Sequence, residues 1–408
     1  MRLRRKGDLI CTFLLLTIFC ILIYIQRDSD YSLLKQQTRT AETEAETAQP
    51  LLSAHVTPKS IFIPTRVAIE NICQSQQRSE KGVVQTTIAP TSDTLPSSYR
   101  QYLRQKDCRE FHQIINQKDK CKKIQGEPIL LISIKARVEE FERREVARKT
   151  WAREGLVHGF HVRRLFLLGF PTNQSALSLW RHLVEYESQV HQDILLWDFQ
   201  DTFFNLTLKE IHFLKWVDEF CPEADFIFKG DNDVYVNVDN IADFLVDFSP
   251  KKDLFVGDII YQALPIRRKK SKYFIPEMMY GQGVYPVYAG GGGFLMTGYT
   301  AKRLYQASKE VELFPIDDVF LGMCLLRIGL EPVFHKGFRT FGITRPSAAP
   351  HLQTFDPCFY KELMVVHSLK VAEIWLMWTL LHDPKLICTH KESINLAFQW
   401  QSQAKDNI

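Results

Sequence analysis

No two cysteines in this chain are spaced as Cys-x-x-Cys, which excludes zinc ribbons and thioredoxin-like redox sites. No sign of charge dominates either: Lys plus Arg is 51 against 47 for Asp plus Glu, a formal net charge of +4. A chain whose main partner is a nucleic-acid backbone carries a larger excess of cations, so that class is excluded. Glycine and proline, at 19 and 18 of 408 residues, are too scarce for a collagen-like chain, and no internal repeat is visible. The composition also excludes a coiled coil and a multi-span membrane protein. The chain is instead 45% hydrophobic and 12% aromatic, which is enough to bury a large core and excludes wholesale disorder. At roughly 150 residues per domain, its length allows two or three domains, or one large domain with extras.

The single long apolar run is N-terminal. Arg2, Arg4, Arg5 and Lys6 precede Leu9 to Ile25, and at ~1.5 Å per residue that run spans ~26 Å, close to a thin bilayer. No small-x-small cleavage site follows, so the run reads as an uncleaved anchor, with its basic flank cytoplasmic by the positive-inside rule. The expected organisation is a tail over 1–8, a transmembrane signal-anchor over 9–25, a lumenal stem over 26–105 and a folded domain over 106–408, as a type II membrane protein. The stem is expected because residues 28 to 98 are rich in Gln, Thr, Glu, Ala and Ser with little periodicity. Asn173 and Asn205 open Asn-x-Ser/Thr acceptors for N-glycosylation, which fits a lumenal body. Seven cysteines lie beyond the anchor, an odd number that allows at most three intramolecular bridges.

From Pro128 onward, apolar runs alternate with amphipathic segments. Strands are expected at Ile129–Ile134, Val162–Gly169, Asp193–Trp197 and Asp225–Lys229, with helices at Glu139–Glu154, Ala176–Val190 and Leu206–Phe220. That alternation predicts an α/β domain with a mainly parallel sheet covered on both faces.

The fourth strand runs into Gly230-Asp231-Asn232-Asp233, and open α/β sheets gather their sites at the carboxyl ends of strands. Asp231 and Asp233 are hard oxygen donors suited to one Mg²⁺ or Mn²⁺ shared with a diphosphate, although Asp and Asn are also common in solvated turns. No glycine follows the first strand at Ile134-Lys135-Ala136-Arg137, so no dinucleotide loop is present. The run Gly290 to Gly293 fits either close approach of backbone to a ligand or a bulged strand. Asp317 and Asp318 open a helix after Pro315-Ile316, where they are either a general base and its neighbour or simple caps. His367 ends the apolar stretch Leu363–Val366.

Taken together, these segments resemble the β-1,3-glycosyltransferases of the secretory pathway, and more narrowly the N-acetyllactosaminide β-1,3-N-acetylglucosaminyltransferases. The resemblance runs from about Pro128 to Cys388. It rests on Arg143-Arg144 through Arg148-Lys149-Thr150-Trp151, Asp201 to Lys209, Phe228 to Val234, Tyr288 to Phe294, Pro315 to Val319, His335 to Thr340, and Val366-His367-Ser368. The tail, Phe355 to Tyr360 with Cys388, is most similar to the core 1-extending members.

This resemblance implies a GT-A-type fold with a mixed, mainly parallel sheet, a UDP-N-acetylglucosamine donor and Mn²⁺ or Mg²⁺. It implies inverting transfer to O3 of a terminal galactose on glycoprotein or glycolipid, at the Golgi membrane, and is compatible with a homo- or hetero-dimer. Position by position, Asp233 and His367 would be metal ligands, and Asp231 and Asn232 would lie at the donor. Asp318 would be the base and Asp317 would help hold the acceptor. Arg144, Arg148 and Trp151 would belong to the donor pocket, where Arg suits a phosphate. Asn232 departs from the third Asp that many relatives carry. The rival readings are a β-1,3-galactosyltransferase using UDP-galactose and a non-catalytic lumenal glycan-binding protein or chaperone.

Overall fold

The structure is a computed structural model that describes residues 95–340 and 357–388, apart from 97–98, 101, 104–105, 107, 124–125, 172 and 174–176. The expected tail, the anchor and nearly all of the stem lie outside the described residues. Among the described residues, no helix is long and apolar enough to cross a membrane. Two residues expected in the stem belong to the packed body. Tyr99 and Tyr102 are buried beside Phe274, and the Tyr102 hydroxyl donates to the Leu313 carbonyl at 2.9 Å.

The first elements are β1 (Gln113–Ile115), β2 (Ile129–Lys135) and α1 (Phe141–Lys149). Helix α1 ends at Thr150, sooner than expected, because Gly155–Val157 forms β3 against β4 (Phe160–Phe170). Then come α2 (Leu177–His191), β5 (Ile194–Gln200), α3 (Leu206–Phe220) and β6 (Phe226–Asp231). Strand β7 (Tyr235–Val236) leads into α4 (Val238–Leu245), whose N-cap Asn237 accepts from the Asn240 N–H at 3.2 Å. The remaining elements are β8 (Phe255–Ile260), β9 (Tyr288–Thr297), α5 (Gly298–Glu310), α6 (Asp317–Arg327), β10 (Val333–Phe334), β11 (Phe338–Arg339), α7 (Pro357–Lys361), β12 (Val365–Val366) and α8 (Val371–Leu381).

The main sheet is ordered β1-β5-β4-β2-β6-β9-β8-β10, with β3 beside β4. Strands β5, β4, β2 and β6 are mutually parallel, whereas β9 runs antiparallel to both β6 and β8. The sheet is therefore mixed, as expected, with its parallel pairings concentrated in the centre at β5-β4-β2-β6.

Its two faces follow from the two-residue period of a strand. In β2, Ile129 and Leu131 enter one core with α3, α5 and α6, whereas Leu130, Ile132 and Ile134 enter the other with α1, α4 and α8. A continuous apolar run is what such a doubly covered strand requires, and each Leu or Ile so buried contributes about 1.5–3 kcal/mol.

A second sheet, β11-β12-β7, is small but consequential. Val365 pairs with Val236 and Val366 with Tyr235, which carries the residue after β12 beside the turn before β7. Disulfides Cys121–Cys221 and Cys358–Cys388 close the body, and Cys108 is also disulfide-bonded. Cys324, buried in α6, is a free thiol.

Candidate active site

Parallel strands place their carboxyl ends along one edge, and the site is built there. In the β2–β6 register Lys135 lies opposite Asp231, so a cation and an anion end neighbouring strands. Lys135 Nζ is 2.9 Å from Asp231 Oδ1 and 2.9 Å from Asp317 Oδ2 at the start of α6. Burial opposes its charge, yet these carboxylates hold its pKa well above the usual lysine range. The sequence reading had no role for Lys135. Its one signal was a charged residue closing an otherwise apolar strand.

Asp233 follows in the turn before β7, and the small sheet delivers His367 to it. The His367 Nε2 is 3.1 Å from Asp233 Oδ1 and 3.7 Å from Asp231 Oδ2. One ligand atom each from Asp231, Asp233 and His367 lies within 4.8 Å of the other two. His367 Nδ1 donates to the Thr340 carbonyl, which fixes the ring and turns Nε2 toward the two carboxylates. Thr340 is itself fixed, because its N–H donates to buried Asp258 at 3.0 Å. Burial works against a charged His367, but Asp233 more than offsets it and raises the pKa of the ring; His367 in turn holds Asp233 below the ordinary carboxylate range against burial. Two hard carboxylate oxygens and one imidazole nitrogen fit Mn²⁺ or Mg²⁺, and they leave room for oxygens from a diphosphate.

Asp317 and Asp318 occupy the first turn of α6. The N-cap is Ile316, so neither aspartate occupies the capping position itself. Their environments diverge. Asp317 is buried, and Lys135 with Lys229 holds it below the usual range despite that burial. Asp318 is half-buried at the cleft; its desolvated setting and the charge of Asp317 push it up to about 8. A pair of carboxylates split in this way is the pattern of acid–base machinery.

The glycine run lies inside β9, directly beneath these groups. A Cβ on Gly291 would meet Asp318 Oδ2 at 2.9 Å, and one on Gly292 would meet His367 Cβ at 2.9 Å. The run therefore makes room for Asp318 against one face of β9 and for His367 against the other.

Several expected site residues lie elsewhere. Asn232 turns away from the Asp231–Asp233 pair, and its Nδ2 donates to Glu140 Oε2 at 2.7 Å. Arg144 and Arg148 do not line a donor pocket. Arg144 is almost fully buried, bonded to both Glu187 oxygens and to the carbonyls of Arg137 and Val138. Arg148 bonds to Glu187, to Glu145 and to both oxygens of Asp193. Their partners come from α2 and the start of β5, and they neutralise the guanidiniums that a phosphate would need. Trp151 is buried with its edge toward Phe228 and offers no face for stacking in the cleft. Asp201 and Lys209, within another expected motif, form a buried 2.8 Å ion pair that ties α3 to the end of β5. Of the two glycosylation acceptors, Asn173 is exposed, whereas Asn205 is half-buried with its Nδ2 donating to the Gln200 carbonyl.

Comparison with known proteins agrees with this geometry. Residues 142–335 match the family model described as Galactosyltransferase. The chain is 48% identical to UDP-GlcNAc:betaGal beta-1,3-N-acetylglucosaminyltransferase 9 of Homo sapiens, over 98% of this chain and 99% of that one. It is 47% identical to UDP-GlcNAc:betaGal beta-1,3-N-acetylglucosaminyltransferase 7 of Mus musculus, over 76% and 77% of the two chains. It is 46% identical to N-acetyllactosaminide beta-1,3-N-acetylglucosaminyltransferase 4 of Homo sapiens, over 74% and 77%. None of these three names is that of the core 1-extending enzyme that the tail resembles. The chain, with its mixed α/β sheet and its acidic site at the strand ends, belongs to the galactosyltransferase family, among the β-1,3-N-acetylglucosaminyltransferases.

Proposed function

We propose that the chain transfers N-acetylglucosamine from UDP-N-acetylglucosamine to O3 of a terminal galactose, with inversion, using a GT-A-type domain. The names of relatives 46–48% identical to it support the donor and the linkage. The observation that carries the reading is Lys135, whose ammonium lies 2.9 Å from Asp231 of the Asp231, Asp233 and His367 cluster and 2.9 Å from Asp317, the neighbour of Asp318.

In this reading the galactose O3 attacks the anomeric carbon, the bond from that carbon to the diphosphate breaks, and Asp318 takes the O3 proton. A single displacement inverts the centre and needs no covalent nucleophile. Asp231, Asp233 and His367 would hold Mn²⁺ or Mg²⁺, which supplies positive charge to the departing diphosphate. Lys135 holds Asp317 ionised and anchors Asp231, so the rigid elements of the sheet keep both in place.

On the same reading a tail over 1–8, an anchor over 9–25 and a stem that gives way to the packed body by Tyr99 would make this a Golgi-lumenal type II enzyme, glycosylated at Asn173 and able to form dimers. The family description Galactosyltransferase keeps UDP-galactose as the second donor to test. Incubating the full-length chain with each UDP-sugar, Mn²⁺ and a galactose-terminated acceptor decides between them. A β-1,3-linked N-acetylglucosamine product is expected; exclusive use of UDP-galactose would overturn the donor assignment.

A further inference from the structure

The catalytic reading leaves the segment between β8 and β9 without a role. Its sequence Arg267-Arg268-Lys269-Lys270-Ser271-Lys272 carries five cations, and Glu277 is the one carboxylate between Tyr261 and Val287. The segment thus holds as much net positive charge as the whole chain. A run of this kind is usually a solvated face, but three observations make it a built surface.

First, it is tied down. Arg267 donates to the carbonyls of Ile275, Tyr280 and Gly281 at 2.7–2.8 Å, and Phe274 is buried against the rings of Tyr99 and Tyr102. Second, it presents cations beside aromatic faces. Lys272 Nζ is 4.7 Å from the Tyr273 ring centroid and 5.5 Å from that of Phe203, and these two rings meet edge-on at 5.5 Å. Arg268 and Lys270 are exposed and make no ion pair among the described residues. Third, it lies at the catalytic edge. Phe203 follows the carboxyl end of β5, on the edge where Lys135 and Asp231 end their strands. The segment's other end runs into Tyr288 and the glycines of β9, of which Gly291 lies against Asp318.

We propose that this segment is an acceptor subsite for anionic glycans. In it Arg268, Lys270 and Lys272 bind a sulfate ester or carboxylate carried by the galactose-terminated chain, while Tyr273 and Phe203 pack the apolar face of a sugar ring. The proposal rests on the transferase reading above and adds the substrate class. Exposed cations pay little desolvation and attract an anion over the ~8 Å screening length of physiological salt. Aromatic faces add contact area with few rotors to freeze.

The test uses the full-length chain with UDP-N-acetylglucosamine, Mn²⁺ and three acceptors: galactosyl-β-1,4-N-acetylglucosamine, its 6-O-sulfate on the N-acetylglucosamine, and the analogue with a carboxylate at that carbon. Wild type should show kcat/KM about tenfold or more higher on at least one anionic acceptor, and high salt should shrink the advantage. The two anionic arms identify which group is recognised. The Arg268→Gln/Lys270→Gln/Lys272→Gln variant should bring the anionic-to-neutral ratio to about one. Equal use of all three acceptors by wild type, or an unchanged ratio in the variant, would overturn the subsite. So would a rise in the KM for UDP-N-acetylglucosamine that is the same with neutral and anionic acceptors, which would make the segment a donor-steering surface. If no acceptor is glycosylated, the transferase reading fails, and titration of the sulfated and neutral disaccharides into the protein decides the subsite alone. Salt-sensitive preference for the sulfated form, lost in the variant, supports it; equal binding refutes it.

Discussion

Replacing Lys135 by Met would test the electrostatic frame of the site. The side chain is a near isostere, so the change removes a charge and leaves little cavity. It strands Asp317, which is 5% exposed and loses its 2.9 Å partner, and it weakens Asp231, whose side chain is one-third exposed. Breaking a buried pair by removing one partner costs about 3–5 kcal/mol. At about 2 °C per kcal/mol for a domain of this size, Tm at neutral pH should fall by about 6–10 °C.

The pH dependence makes the test sharper. In the wild type Lys135 holds the pKa of Asp317 below its ordinary value, so its stabilisation is present above the unfolded carboxylate pKa and lost as pH falls through the lower folded value. In the variant the sign reverses: an unpaired Asp317 beside Asp318 has a raised pKa and destabilises the fold above the unfolded value. The molecule can always protonate it instead, at a cost of about 1.4 kcal/mol for each pH unit above ~3.9. That ceiling is about 5 kcal/mol near pH 7.5 but only about 1.5 kcal/mol near pH 5. Thermal melts of both proteins at the two pH values should show the Tm gap closing by more than half on acidification. A gap that is the same at both, or absent at both, would refute the assignment of Lys135 as the partner that keeps Asp317 ionised.

Asp318→Asn keeps the shape but cannot accept a proton, so kcat should drop by about 10²-fold or more. UDP affinity with Mn²⁺, measured by calorimetry, should persist; equal losses in both would move Asp318 to the donor or metal. Asn232→Asp sets a carboxylate 2.7 Å from Glu140 in place of a hydrogen bond, and should cost about 1–3 kcal/mol near neutrality, recovering as pH falls. An unchanged melting profile together with tighter Mn²⁺ binding would show that residue 232 serves the metal after all. Gly291→Ala drives a methyl against Asp318 at 2.9 Å and should slow turnover by about tenfold or more with little change in Tm. Wild-type turnover in that variant would mean that the position of Asp318 is not set from below.

Period and composition made much of this molecule legible. The continuous apolar run at Ile129–Ile134 read as a strand covered on both faces, which β2 is, and α3 occupies the expected Leu206–Phe220. Asp231 and Asp233 stood out because two carboxylates directly follow a buried strand. Arg144 and Arg148 were misread for a physical reason. An arginine-rich helix suits a phosphate and a buried carboxylate equally well, and Glu187 and Asp193 lie about 40 residues further along the chain. Lys135 went unnoticed because its partners, Asp231 and Asp317, come from two separate elements. His367 could be given a role only through resemblance, since a lone histidine after a two-residue strand carries no signal of its own.

Periodicity and residue chemistry act within a few residues, so the central strands, α3 and an acidic turn at a strand end were readable in the chain alone, while the family came from ordered motifs that resemble it. Tertiary structure decided which charges meet. The register of β2 against β6 pairs Lys135 with Asp231, and the small sheet carries His367 to Asp233. The glycines of β9 leave room for Asp318 on one face and His367 on the other. Charges interact through space as the inverse of distance, so their roles depend on contacts between residues far apart in the chain, which only the folded arrangement supplies.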